Sequence, residues 1–188
     1  MVTQKPKPKL TYEDYAKTPD DERWELIDGE LINRELDMAP SAKEAHQRNQ
    51  MQLGSRMFFF TYENDLGRVY SDFDVVLSDT DTVRPDLLFV SKERLHIITD
   101  DNVQGAPDLV VEIRSPSTAR QDWTVKRELY ARHGVGEYWL VDPEAATVAV
   151  LLLDEGELKV TGVYGEGDTL SSAVMSGFSI ALADIFRG

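Results

Sequence analysis

Pro107-Asp108-Leu109-Val110-Val111-Glu112-Ile113-Arg114 reads as a buried strand with a carboxylate in its middle. Burying an unpaired charge costs far more than one apolar residue gains. A strand that keeps Glu112 among Leu109, Val110, Val111 and Ile113 therefore gives the acid a task, most simply as a metal ligand. A second strand of the same kind, Val83-Arg84-Pro85-Asp86-Leu87-Leu88-Phe89-Val90, supplies Asp86. Lys126 follows on a predicted helix. Two acids and a lysine so arranged point to metal-assisted cleavage of a phosphodiester.

Alternation along the strand sorts its side chains. Asp108, Val110, Glu112 and Arg114 share one face, and Leu109, Val111, Ile113 and Ser115 the other. Asp108 and Glu112 are four residues apart, or about 13 Å along a strand, too far to bind one ion. A cation at Glu112 needs its partner from a neighbouring strand, and Asp86 is the natural candidate.

Outward from this strand, Pro116 ends it, and Arg120–His133 reads as a helix stopped by Gly134 or Gly136. Tyr138–Asp142 is the next strand. Strand, helix and strand make a right-handed crossover between parallel strands. Upstream, Val69–Leu77 and Val83–Val90 form an antiparallel pair around a turn at Ser78–Thr82, and Ser91–Gly105 is a surface link. A long helix opens at the capping box Ser41-Ala42-Lys43-Glu44 and runs to about Tyr62, with Leu53, Met57 and Phe60 inward. Asp28-Gly29 signals a hairpin with a type I′ turn between Trp24 and Ile32. Thr11 caps a short first helix. Val148–Leu153 and Leu158–Tyr164 form a second hairpin, and apolar pieces of Leu170–Phe186 cover a core edge. The order predicts a mixed α/β (α+β) fold: a mixed central sheet flanked by helices, with N-terminal and C-terminal β-hairpins.

With 188 residues the chain suits one domain, residues 10–188, after a basic tail, residues 1–9, expected to be disordered. No apolar run is long enough for a membrane span, and the N-terminus lacks a signal-peptide core. The absence of cysteine excludes disulfides and thiolate metal sites. These features fit a cytoplasmic protein. The net charge of −14 is unusual for a nucleic-acid binder. Setting aside Lys5, Lys7 and Lys9, 20 less three leaves 17 basic residues against 34 acidic ones. Such a body repels a polyanion at long range unless its cations gather on one face or a metal screens the acids.

The residues then match a known pattern. Trp24–Glu30, His46 on the long helix and Val83–Asp86 belong to it. So do Pro107–Glu112 with Ser115–Thr118, Lys126, Tyr130 and Gly136–Pro143. Together, over about Tyr12–Phe186, they resemble the Uma2 family of restriction-type endonucleases within the PD-(D/E)xK nuclease superfamily. The resemblance implies a restriction-endonuclease-like sheet with a divalent cation at the edge of its central strands. Asp86 and Glu112 would be its ligands, and DNA the substrate. The superfamily lysine lies two residues after the second acid, where this chain has Arg114. Lys126 looks like a relocated substitute. Arginine stays protonated and is a poor base, though it can hold a phosphate. Hard oxygen ligands favour Mg²⁺ or Mn²⁺. Glu25 and His46 are possible accessory residues at the same cleft.

Each residue also has a structural reading. Glu112 could pair with Arg114 or Arg84, Asp86 could be a strand-start residue, and Lys126 could pair with Asp122 one helical turn away. Glu25 could pair with Arg23 or Arg34 across the hairpin, and His46 could cap or pack. Trp123, Tyr130, Tyr138 and Trp139 read as core aromatics, and Asp108 as structural. Two rivals stand beside the DNA nuclease: a non-catalytic interaction module that keeps the fold, and an enzyme acting on RNA or another phosphate ester. Exposed aromatics near the C-terminus would suit a homodimer, since two sites are needed to cut both strands.

Overall fold

The computed structural model describes residues 8–19, 21–34, 40–114 and 119–187; for residues 40–43 and 119–122 it describes the backbone alone. The expected tail over residues 1–7, the end of the central strand at Pro116, and the side chains of Ser41 and Asp122 lie outside the described residues.

A short helix α1 (Tyr12–Tyr15) precedes the hairpin of β1 (Trp24–Ile27) and β2 (Glu30–Asn33). Asp28 and Gly29 both have positive φ, 53° and 79°, as a type I′ turn requires. The long helix α2 spans Pro40–Glu63. It begins one residue before the predicted box and ends one residue past the predicted stop.

The next stretch departs from the sequence reading. Instead of one strand over Val69–Leu77 there are two, β3 (Gly67–Ser71) and β4 (Val75–Ser78). Val83–Val90 is likewise divided, between β5 (Asp81–Val83) and β6 (Leu87–Ser91). The pairing is antiparallel as expected, but β4 pairs with β5 in one sheet and β3 with β6 in another. Asp72, with φ of 48°, breaks the first strand, and Arg84-Pro85-Asp86 bridges the second. Asp86 therefore sits at the seam between two sheets, where an acid can leave the strand ladder. The link after β6 contains a 3₁₀ helix (Lys92–Ile97) and β7 (Val103–Gln104).

The central strand β8 (Leu109–Ile113), helix α3 (Ala119–His133) and β9 (Glu137–Asp142) form the predicted crossover, with β8 and β9 parallel. β10 (Thr147–Asp154) and β11 (Glu157–Gly165) form the C-terminal hairpin. β12 (Thr169–Ser171), β13 (Ser179–Ala181) and α4 (Ala183–Phe186) complete the chain. The larger sheet runs β11-β10-β9-β8-β6-β3, and the smaller β2-β1-β5-β4-β7. The N-terminal hairpin is thus part of a second sheet rather than an appendage.

β8 is buried on both faces, which is why it reads as a near-continuous apolar run. Leu109, Val111 and Ile113 face a core shared with Leu53 and Met57 of α2 and with Phe178 and Ile185. Val110 faces the opposite core, with Leu129 and Tyr130 of α3 and with Ile27, Val75 and Val83 of the smaller sheet. Alternation puts Glu112 on that second side, under α3. The C-terminal aromatics do not form the exposed surface expected of them: Phe178 is 3 % exposed, and Tyr164 and Phe186 pack on the first core. The exposed aromatics belong to α2 instead. No described helix is long and apolar enough to cross a membrane.

Candidate active site

The register of β6 on β8 pairs Leu87 with Val111 and Leu88 with Val110. One residue further, the same register sets Asp86 opposite Glu112. The Ile113 N–H donates to Asp86 Oδ2 at 2.6 Å and fixes that carboxylate against β8. Two more groups hold Asp86: Arg23 Nη2 donates to Oδ1 at 2.8 Å, and His46 Nε2 lies 3.1 Å from Oδ2. Arg23 comes from the residue before β1, and His46 from the inner face of α2. Three segments thus converge on one acid.

Glu112 has different partners. Lys126 Nζ donates to its Oε1 at 2.7 Å, and the Tyr130 hydroxyl donates to the same oxygen at 2.6 Å. Lys126 and Tyr130 are four residues apart on α3, so they project from the same side of the helix. Lys126 Nζ also lies 2.8 Å from Glu25 Oε1 of β1, and Arg34 Nε donates to the other Glu25 oxygen at 2.7 Å. The ammonium bridges acids from the two sheets. All these groups are deeply buried: Glu25 is fully enclosed, and Asp86, Lys126, His46 and Glu112 are at most 7 % exposed.

Neighbouring charge decides which acids ionise. Burial opposes the charge on Asp86, but the His46 hydrogen bond, Arg23 and the Ile113 N–H outweigh it and hold the carboxyl well below its usual range. Burial also opposes ionisation of Glu25, and Lys126 and Arg34 overcome it. For His46, burial is outweighed by Asp86, which raises its pKa. Glu112 goes the other way. Burial, with the negative charges of Asp86 and Glu25 nearby, lifts it to about 7 despite Lys126. Burial and the charge of Glu112 push the Tyr130 hydroxyl well above its ordinary value, so it acts as a donor.

A hard divalent cation is the group that these two acids would hold. The donors are carboxylate oxygens, and a cation would offset the burial and the neighbouring negative charges that raise the Glu112 pKa. Among the described residues no three His, Cys, Asp or Glu side chains gather as a ligand set. The pair Asp86–Glu112 would therefore supply two ligands and leave the other positions to water and substrate oxygens, as Mg²⁺ prefers.

A family model described as "Putative restriction endonuclease" matches residues 11–183. The chain belongs to the Uma2 family. A solved structure from Anabaena variabilis ATCC 29413, titled as a putative nuclease belonging to DUF820, shares the fold: TM-score 0.76 at 20 % identity, over 94 % of this chain and 97 % of that one. The type IIG restriction endonuclease BpuSI is a more distant likeness, with TM-score 0.44 and 11 % identity. It is matched over 75 % of this chain and 15 % of its own. No curated protein matches this chain.

In this Uma2 chain the residues singled out from sequence fall into one cluster, with one exception. His46 touches Asp86, Lys126 touches both Glu112 and Glu25, and the register of β6 on β8 sets Asp86 opposite Glu112. Arg114 is the exception: its Nη1 donates to Asp142 Oδ2 at 2.5 Å, at the end of β9. Neither arginine named as a structural partner of Glu112 pairs with it, since Arg84 is held by Asp74 at 2.6 Å. Glu25 does pair with Arg34, but it also reaches Lys126. Asp108 lies at the other end of β8, where it accepts from Ser91 N and Arg94. Sequence reasoning missed Arg23 as a partner of Asp86 and read Tyr130 as core. Tyr130 is both: its ring is fully buried, and its hydroxyl meets Glu112. Its spacing of four from Lys126 was the available signal.

Proposed function

We propose that this protein is a metal-dependent endonuclease that hydrolyses DNA phosphodiesters with Mg²⁺ or Mn²⁺ held by Asp86 and Glu112. The observation that carries this reading is the facing of those two acids across β6 and β8, with Lys126 on one of them. Residues 10–188 would form the nuclease unit and act in the cytoplasm. When bound, the ion would polarise the phosphate and lower the pKa of an attacking water. The chain's own groups do the positioning. The Ile113 N–H and Arg23 fix Asp86, and Tyr130 and Lys126 fix Glu112. The Lys126 ammonium, held between Glu112 and Glu25, would steady charge developing on the phosphate. His46 and Glu25 support the two acids from outside. Cutting both strands of a duplex takes two such centres, hence two copies of the chain.

A second reading has its own support. Arg114 replaces the usual lysine and is tied to Asp142, and the net charge of −14 disfavours polyanions. A binding module that keeps the fold and the ion would look the same. Incubating purified protein with supercoiled plasmid and Mg²⁺ or Mn²⁺ separates the two. Nicking by the wild type and none by Asp86→Ala is the expected result. Equal nicking by both would assign the activity to a contaminant, and no nicking of DNA, RNA or small phosphodiesters would favour the module.

A further inference from the structure

Helix α2 turns an apolar face to solvent. Met51, Phe58, Phe59 and Tyr62 are 73, 49, 60 and 75 % exposed. Phe58 stacks with Tyr62 at 6.1 Å and meets Phe59 edge-on at 5.7 Å, so the rings form a continuous patch. Soluble monomers rarely leave such patches uncovered without a use. Beside it lies a groove of about 470 Å³, with Met51, Phe58 and Phe59 on one wall and Val69 and Tyr70 of β3 on the other. β3 is the outermost strand of the larger sheet, and among the described residues its outer row of backbone N–H and C=O groups has no neighbouring strand.

We propose that this face joins a second copy of the same chain, β3 against β3 and α2 against α2. Helix α2 packs over β3 on one side of the sheet. A twofold axis normal to the sheet beside β3 sets the two edge strands antiparallel and continues one sheet into the other. The same operation keeps both α2 helices on one side, so their aromatic faces meet across the axis. A single closed, isologous contact thus covers both the strand edge and the patch. Other occupants cover only half of it. An extended peptide would pair with β3 and leave the aromatics wet, and a foreign helix would do the reverse. A polyanion or an anionic lipid finds no match, because no lysine or arginine lines the groove and Asp72 does.

The face adjoins the acid cluster. Gln50 in the groove donates to Asp72 at 2.6 Å and to the Asp86 carbonyl at 2.9 Å, and Asp72 lies 3.4 Å from Arg23, which grips Asp86. Pairing therefore places two acid clusters in one assembly. It supplies the two copies that the hydrolytic reading asks for, yet it rests on the surface alone and holds whether or not DNA is cut.

Light scattering on the full chain should give twice the chain mass of 21.2 kDa. Phe59→Asp should halve that value at the same concentration with the circular dichroism spectrum unchanged, because the side chain is largely exposed in the single chain. Tyr62→Ser should shift dissociation in the same direction should the first variant fold poorly. The outward amides of β3 should exchange faster in the dissociated variant. A wild type of single-chain mass at all concentrations overturns the inference. So does a dimer indifferent to both substitutions, a mass that grows without limit, or β3 amides that exchange alike in wild type and variant.

Discussion

Lys126 holds two buried carboxylates from different sheets, and its loss leaves both without that cation. Breaking a buried ion pair by removing one partner costs about 3–5 kcal/mol, because the remaining charge is left uncompensated. Lys126→Met is expected to lose stability of that order in urea titration, and adding Glu25→Gln should restore part of it by removing one orphaned charge. Glu112 supplies the pH dependence. Its pKa, lifted from 4.5 to about 7, means the folded chain holds a proton that the unfolded chain releases between those values. This group's contribution to stability therefore falls as pH rises across that window. The same proton competes with a cation. Mn²⁺ affinity measured by calorimetry should weaken about tenfold per pH unit below 7 and level off above it, a dependence that Glu112→Gln should flatten. The acids and Lys126 were legible because buried carboxylates are rare and their residue types carry chemistry. The Glu25–Arg34 pair was legible from the hairpin, whereas Arg23 as the partner of Asp86 was not. The chain has many arginines, and only the meeting of β1, β6 and α3 shows which of them touch the acids.

Element boundaries explain most of what the sequence left hidden. Alternation runs through Val69–Leu77 without a visible break, so it reads as one strand. The left-handed backbone at Asp72 and the Arg84-Pro85-Asp86 bridge instead pass the hairpin from one sheet to the other. Both hairpins and the β8–α3–β9 crossover were legible, because Asp28-Gly29, glycine stops and apolar runs fix them locally. A second device, also invisible in sequence, keeps the smaller sheet aligned with α3 at the site. Asp81, 4 % exposed, accepts from Asp28 N at 2.8 Å, Ser78 Oγ at 2.8 Å and Arg132 Nη2 at 2.9 Å, and lies 3.1 Å from His133 Nε2. It ties the β1–β2 turn to the end of α3, the two elements that bring Glu25 and Lys126 together. Asp81→Ala should destabilise by about 1–3 kcal/mol through its orphaned partners. Hydrogen exchange should quicken in β1 and the last turn of α3 while β10 and β11 are unchanged. Uniform quickening would contradict this local role.

At the scale of the whole molecule, charge and the closed acid cluster act together. A chain of net charge −14 repels DNA, and the site's cations are engaged by its acids. Duplex DNA should therefore not be retarded in gels with EDTA at moderate salt, and retardation should appear when Mg²⁺ is added. Retardation of equal strength without a divalent ion would mean that binding uses a basic surface elsewhere. The acidic composition was legible from the start, whereas the gathering of Arg23 on Asp86 and of Lys126 on Glu25 and Glu112 depends on tertiary contacts that no local pattern encodes. The central claim, that Asp86 and Glu112 share one cation, is tested most directly by soaking crystals in Mn²⁺ and locating the metal from its anomalous signal. A single peak bound by one oxygen from each carboxylate, absent in Asp86→Ala, is the predicted result. A peak elsewhere, or an Asp86 still locked to Arg23 and His46 in saturating Mn²⁺, would contradict it.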